Sequence, residues 1–134
     1  MVCVQCGSET QVINSRPQKR LNQVWRRRRC NSCQTVFTTE ETVQYKAIWM
    51  VKGDPKSKLE PFSRDKLLLS LHKSCEHRQT AVEDARALTD TVIIKLRDQA
   101  RDGVISKRGI AQVAQVALNR FDVAASVHYS AFHA

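Results

Sequence analysis

Two Cys-x-x-Cys pairs, Cys3-Val-Gln-Cys6 and Cys30-Asn-Ser-Cys33, constrain this chain more than any other feature. Each pair puts two sulfurs on one tight turn, and two such turns complete the tetrahedral shell of a Zn²⁺ ion. Four thiolates leave no open coordination position, so the metal they predict is structural. The 23 residues between the pairs slightly exceed the commonest spacing and suit a ribbon whose long loop lies between its knuckles. The fifth cysteine, Cys75, stands apart on an apolar helical stripe and reads as a small buried hydrophobe.

A metal is also what the surrounding segment needs. Residues 1–42 show no helical periodicity and read as short extended pieces: Gln11-Val12-Ile13, Gln23-Val24-Trp25-Arg26 and Thr35-Val36-Phe37-Thr38-Thr39. Three such strands bury too little to fold alone, and a structural metal is the usual remedy. No charged stretch with an apolar core opens the sequence, and no uncharged apolar run approaches the roughly 18 residues that span a bilayer. The expected compartment is therefore the reducing cytosol, where paired cysteines are metal ligands rather than disulfides. At 134 residues with 42% hydrophobic side chains, the chain makes one or two small domains, which excludes a large multi-domain enzyme.

Its net charge of +9 is unevenly placed. No acidic residue lies between Glu9 and Glu40, where Arg16, Lys19, Arg20 and the run Arg26-Arg27-Arg28-Arg29 contribute seven positive charges. Residues 47–134 instead carry 14 basic and 10 acidic side chains, the mixture of a solvated globular surface. This asymmetry points to a polyanion at the N-terminal third. A charge run is ordinarily just solvated. Here the four arginines lead directly into a zinc knuckle with no carboxylate nearby, which favours contact with phosphates or a guanine edge. In an extended strand, Arg26 and Arg28 face one side and Arg27 and Arg29 the other.

A second region begins near Tyr45. The run Ala47-Ile48-Trp49-Met50-Val51, the turn Gly53-Asp54-Pro55 and the return Leu59-Glu60-Pro61-Phe62 predict a hairpin, whose return strand is an edge or already ending at Pro61 because proline cannot donate to the ladder. Ser63 predicts the cap of a helix bearing Leu67, Leu68, Leu71 and Cys75. Thr80 and Glu83 predict a capping box before Ala85, Leu88, Val92 and Leu96, with Gly103 as the stop. Ser106 precedes the stripe Ile110, Val113, Ala117 and Phe121, and Asp122 is placed to cap a last helix carrying Val123, Val127 and Ala131. The expected fold is α+β: a zinc ribbon of short antiparallel strands over 1–44, then a hairpin with about four helices over 45–134.

Lys52, Glu60 and Lys66 fall on the hairpin and the first turn of the helix after it, where two ammonium groups and a helix N-terminus can meet phosphates. Taken alone this signal is weak, since exposed lysines are common and no G-x-x-x-x-G-K-[ST] loop supports nucleotide hydrolysis. His72, His77, His128 and His133 show no metal spacing. No nucleophile elbow, carboxylate pair or H-E-x-x-H motif indicates an enzyme.

The order of motifs resembles one family. C-x-x-C-G, Val12-Ile13-Asn14-Ser15-Arg16-Pro17, the four arginines, the second C-x-x-C and Val36-Phe37-Thr38-Thr39 are similar to the zinc ribbon of the bacterial transcriptional repressors of ribonucleotide reductase genes, the NrdR family. Val51-Lys52, Glu60-Pro61-Phe62 and Lys66 resemble that family's ATP-cone, and the likeness runs over nearly the whole chain. The resemblance implies a bacterial, non-enzymatic repressor whose zinc ribbon binds double-stranded DNA upstream of reductase operons through Arg16 and Arg26 to Arg29. It implies a cone binding ATP or dATP as effector, with Val51, Lys52, Glu60, Phe62 and Lys66 at the nucleotide, and a homo-oligomer whose state follows the nucleotide. The chain departs from the family at several points. Arg29 abuts Cys30 directly, Gly53 to Lys58 lengthen the hairpin tip, Leu59 stands where an arginine is usual, and residues 125–132 differ. A nucleic-acid adaptor with an effector-insensitive cone is the alternative. A regulatory piece of a reductase catalytic chain is a third reading, against which the basic ribbon and short length argue.

Overall fold

The computed structural model describes residues 1–100 and 102–133. The chain forms two compact units, Met1–Val43 and Gln44–Ala134, and together they make an α+β protein. Among the described residues no helix is long and apolar enough to cross a membrane.

The first unit is an antiparallel meander of β1 (Thr10–Gln18), β2 (Gln23–Cys30) and β3 (Val36–Glu41), in that order across the sheet. The strands run longer than the expected pieces, because the arginine run continues β2 up to the second knuckle. Between β1 and β2 the chain reverses over Lys19 to Asn22. Asn22 donates its N–H to Lys19 O at 3.3 Å and takes φ +51°, a conformation asparagine tolerates. One irregularity interrupts the ladder: Val12 faces Arg28 and Asn14 faces Arg27, so Ile13 is an extra residue in a bulge.

In the second unit, β4 (Met50–Lys52) pairs antiparallel with β5 (Glu60–Pro61) and parallel with β6 (Val104–Ser106). Among the described residues four α-helices accompany this sheet: α1 (Arg64–Cys75), α2 (Ala81–Leu96), α3 (Lys107–Phe121) and α4 (Val123–Phe132). Three caps form as expected. Ser63 accepts from Lys66 N–H, Ser106 from Gly109 N–H and Asp122 from Ala125 N–H. The core joins Trp49, Phe62, Leu71, Val92, Leu96, Ile105, Leu118 and Tyr129, with the Trp49 and Phe62 rings edge to face at 5.4 Å. Cys75 is fully buried, as expected of a small hydrophobe.

Four expectations fail on tertiary grounds. Tyr45–Ala47 form a 3-10 turn that turns Trp49 into the core, so the first hairpin strand shortens to Met50–Lys52. Thr80 does not cap α2; its hydroxyl donates to Asp84 Oδ2 at 2.7 Å. Gly103, at φ +79°, does not stop α2, which already ends at Leu96. It opens β6, a strand the sequence did not announce. On α4, Val123 and Val127 are exposed, while Ala125, Ser126 and Tyr129 face the core, because small residues let this helix approach its neighbours closely.

Arg78 ties the start of α2 to the α3–α4 junction, donating to Asp84 at 2.8 Å and to Asp122 at 3.0 Å. The Ala125 N–H, His77 and Arg78 together hold Asp122 far below the ordinary carboxylate range, and Arg78 with Thr80 lowers Asp84. A carboxylate whose folded pKa is depressed adds stability above its unfolded pKa of about 3.9, and that contribution is lost as pH falls through the folded value. Melting of the second unit should therefore be flat between about pH 7 and 5 and fall steeply below about pH 4. In thermal scans, Asp122→Asn should flatten that acid limb; an unchanged limb would remove Asp122 from the account.

Candidate metal centre and nucleic-acid interface

The two knuckles are built alike. Each Cys-x-x-Cys turn closes through a residue in the left-handed region, Gly7 at φ +76° after Cys6 and Gln34 at φ +64° after Cys33. Backbone N–H groups point at the sulfurs: Gln5 donates to Cys3 Sγ at 3.4 Å, and Ser32 and Cys33 donate to Cys30 Sγ at 3.3 and 3.4 Å. Such donors offset charge on thiolates. Cys3 and Cys30 are buried, Cys6 and Cys33 exposed, and the four Sγ atoms all lie within 4.8 Å of one another.

Sulfur separations test the fit to zinc. Cys3 and Cys33 lie 3.7 Å apart and Cys6 and Cys30 3.4 Å. These are far beyond a disulfide bond of about 2.05 Å and near the edge of roughly 3.8 Å that a tetrahedron with Zn–S of about 2.3 Å requires. Hydrogen bonds from the Ser8 hydroxyl and N–H hold the Cys6 thiol down to about 6, and Thr35, its hydroxyl 3.0 Å away, lowers Cys33. The donor set fits a single Zn²⁺ in a zinc ribbon.

From this clip β2 runs down the centre of the sheet, and alternation divides its arginines as expected. Arg26 and Arg28 lie half-buried on one face. Arg26 donates to Ser15 Oγ and to Glu41, both at 3.0 Å, while Arg28 reaches Thr10 Oγ1 at 3.4 Å and its buried Nε has no hydrogen-bond partner among the described residues. On the opposite face Arg27 and Arg29 are exposed, with Arg16 and Trp25 as a facing pair beside them. Among the described residues none of Arg16, Arg27 and Arg29 has an ion-pair partner.

The second unit holds a cavity of about 260 Å³ between the hairpin, α1, α3 and α4. It brings together four of the five residues expected at a nucleotide, Val51, Glu60, Phe62 and Lys66, with Lys66 Nζ 3.9 Å from Glu60 Oε2. Lys52, exposed on β4, is not among the lining residues. Lys107, Tyr129 and His133 are among the other residues that line it.

Comparison with known proteins decides the family. Residues 1–41 match the family model described as the transcriptional repressor NrdR-like N-terminal domain. The chain is 35% identical over 133 residues to a transcriptional repressor NrdR of Symbiobacterium thermophilum, covering 99% of this chain and 87% of that protein. It is 34% identical over 134 residues to its namesakes in Staphylococcus saprophyticus and Staphylococcus aureus, covering 99% of this chain and 84% of each. The chain belongs to the NrdR family of transcriptional repressors. It is thus a non-enzymatic regulator with a zinc-ribbon N-terminal unit.

What sequence reasoning missed in this NrdR chain is the far wall of the cavity. Lys107 is the first residue of α3, and its stem passes over the hairpin tip, 3.3 Å from where a Cβ on Gly53 would lie. Tyr129, in the last turn of α4, stacks at 3.9 Å on His133, which caps that helix. Only the parallel pairing of β4 with β6 brings α3 beside the hairpin, and nothing in the spacing announced it. The Ser106 cap was the available signal, since it fixes Lys107 at a helix N-terminus.

Proposed function

We propose that this NrdR-family repressor binds double-stranded DNA upstream of ribonucleotide reductase operons through its zinc-held sheet, and that ATP or dATP in the cavity of the second unit sets its assembly and DNA affinity. The observation that carries the DNA reading is the cluster of unpaired guanidiniums of Arg16, Arg27 and Arg29 on one sheet face, one end of which is clamped by four thiolates. Arginines that have no ion-pair partner among the described residues release DNA counterions instead of breaking ion pairs of their own. Arg26 and Arg28, partly held by Ser15, Glu41 and Thr10, stiffen the strand that presents the others. Raising salt should weaken binding with a log-log slope of about −0.9 per phosphate contact, and Arg29→Ala should reduce that slope by about 0.9. A salt-independent affinity would remove the phosphate contacts from the account.

For the effector, support comes from Lys66 and Lys107 converging on one cavity beside the capped N-termini of α1 and α3. A triphosphate brings several negative charges, which two ammonium groups and two helix starts partly neutralise. Lys52 follows the lining residue Val51 on β4 and acts on the charge field rather than as a lining group. Calorimetry should detect ATP and dATP binding to the wild-type chain and at least tenfold weaker binding to Lys66→Ala with zinc content unchanged. No nucleotide binding to the wild type would leave a DNA-binding adaptor with an inert cone.

A further inference from the structure

We infer that the exposed face of the β1–β2 ribbon reads base edges in the DNA major groove: Asn14 and Arg27 are the sequence-reading pair, Trp25 the apolar floor beside them, and Arg16 and Arg29 the phosphate grips. This rests on the DNA-binding reading above and adds which side chains carry sequence information and which only affinity. Three independent observations support it.

The first is the bulge. With strict alternation along β1, Asn14 and Arg16 would stay on the side of Val12, which faces Arg28. The extra residue Ile13 switches them across, so that Asn14 faces Arg27 and Arg16 faces Trp25. Bulges commonly re-aim side chains next to functional sites. This one gathers an amide, an indole and the free guanidiniums onto a single face.

The second is a hollow of about 250 Å³ to which Asn14, Arg16, Trp25, Arg27 and Thr38 contribute from that face. Trp25 is 41% exposed between its cross-strand partners Arg16 and Glu40 on a polar, cationic face. An indole pays hydration there without burial unless a partner covers it. A base edge or thymine methyl is such a cover.

The third is geometry. The major groove admits a two-stranded ribbon, and all the groups invoked lie on two neighbouring strands. Glu40, the carboxylate on this face, sits opposite Trp25 on β3, outside that ribbon. Directly opposed residues have Cβ atoms about 5 Å apart, against about 3.4 Å per base step, so side chains as long as Asn14 and Arg27 reach the same or adjacent base pairs. Asparagine matches N6 and N7 of adenine, and the arginine fork matches O6 and N7 of guanine.

The test uses the full zinc-loaded chain. A preferred duplex is selected from a random pool by the wild type, and binding to it is compared with binding to a scrambled duplex of equal composition over a salt series. Arg27→Lys keeps the charge but loses the fork. It and Asn14→Ala should each cut the ratio of selected to scrambled affinity by roughly 5- to 150-fold, while affinity for the scrambled duplex stays within about twofold in Arg27→Lys. Arg29→Ala should lower both affinities together and leave the ratio unchanged. Selected DNA should also shield Trp25 from acrylamide, since Trp49 is buried. Retained zinc checks that each variant is folded. A wild type that binds duplex DNA while Arg27→Lys and Asn14→Ala keep the ratio overturns this assignment alone. A wild type that binds neither duplex overturns the DNA reading beneath it.

Discussion

Cys30→Ser is expected to abolish zinc binding and unfold residues 1–43 while the second unit keeps its melting transition. Cys30 is fully buried, and its sulfur accepts from two backbone N–H groups and lies 3.4 Å from Cys6 Sγ. Its loss removes a ligand and the centre of the second knuckle at once. The sheet has little else to hold it: β1 is exposed along most of its length, and among the described residues of this unit the only buried side chains are Cys3 and Cys30. In structural zinc sites the binding free energy is folding free energy, apparent values being about 10 to 16 kcal/mol at pH 7, so loss of the metal exceeds any stability the strands retain. Elemental analysis should give one zinc per wild-type chain and none in the variant, with amide exchange in β1 to β3 at unprotected rates. One retained zinc with a protected sheet would refute the four-thiolate assignment.

Leu71→Ala should do the reverse. Leu71 is fully buried on α1 in the core that Trp49, Phe62, Val92 and Leu118 share. Truncating a buried leucine costs about 2 to 5 kcal/mol through lost transfer free energy and the cavity left behind, and in a unit of this size that lowers the melting point by roughly 10 °C or more. Zinc content and β-sheet protection in residues 1–43 should not change. Because α1 also carries Lys66, nucleotide binding should weaken with the melting transition, and saturating nucleotide should recover part of the lost stability by mass action. Calorimetric scans of wild type and variant check this. A shift below about 2 °C would mean that the site collapses without leaving a cavity.

The features legible in the sequence were those fixed by short-range rules. Cys-x-x-Cys spacing identifies the knuckles because two thiolates on one turn need only two intervening residues. The period of two along Arg26 to Arg29 separates the faces of β2, and the caps at Ser63, Ser106 and Asp122 follow from side chains that satisfy the first free N–H groups of a helix. What stayed hidden depends on pairing between distant segments. The bulge at Ile13 reverses the face of Asn14 and Arg16, yet no residue type in β1 demands it, because nearly all of that strand is solvated on both sides. Three residues, Val104 to Ser106, are too short to show alternation, and their parallel pairing with β4 is what carries Lys107 to the cavity. On α4, an alanine-rich sequence apolar nearly all round gives no stripe to choose, so the larger valines suggested a buried face that belongs instead to Ala125, Ser126 and Tyr129.

Regulation of DNA binding by nucleotide is the central claim, and it requires that the nucleotide bind the DNA-competent and DNA-incompetent states with different affinity. It is tested most directly by titrating a fluorescent duplex, selected from a random pool by the zinc-loaded wild type, with the full chain alone, with saturating ATP and with saturating dATP, following anisotropy and scattering mass together. The account predicts three separate binding curves, spread by about 5- to 150-fold in Kd and accompanied by a change in mass, and their collapse onto one curve in Lys66→Ala. Superimposed wild-type curves with unchanged mass would contradict it.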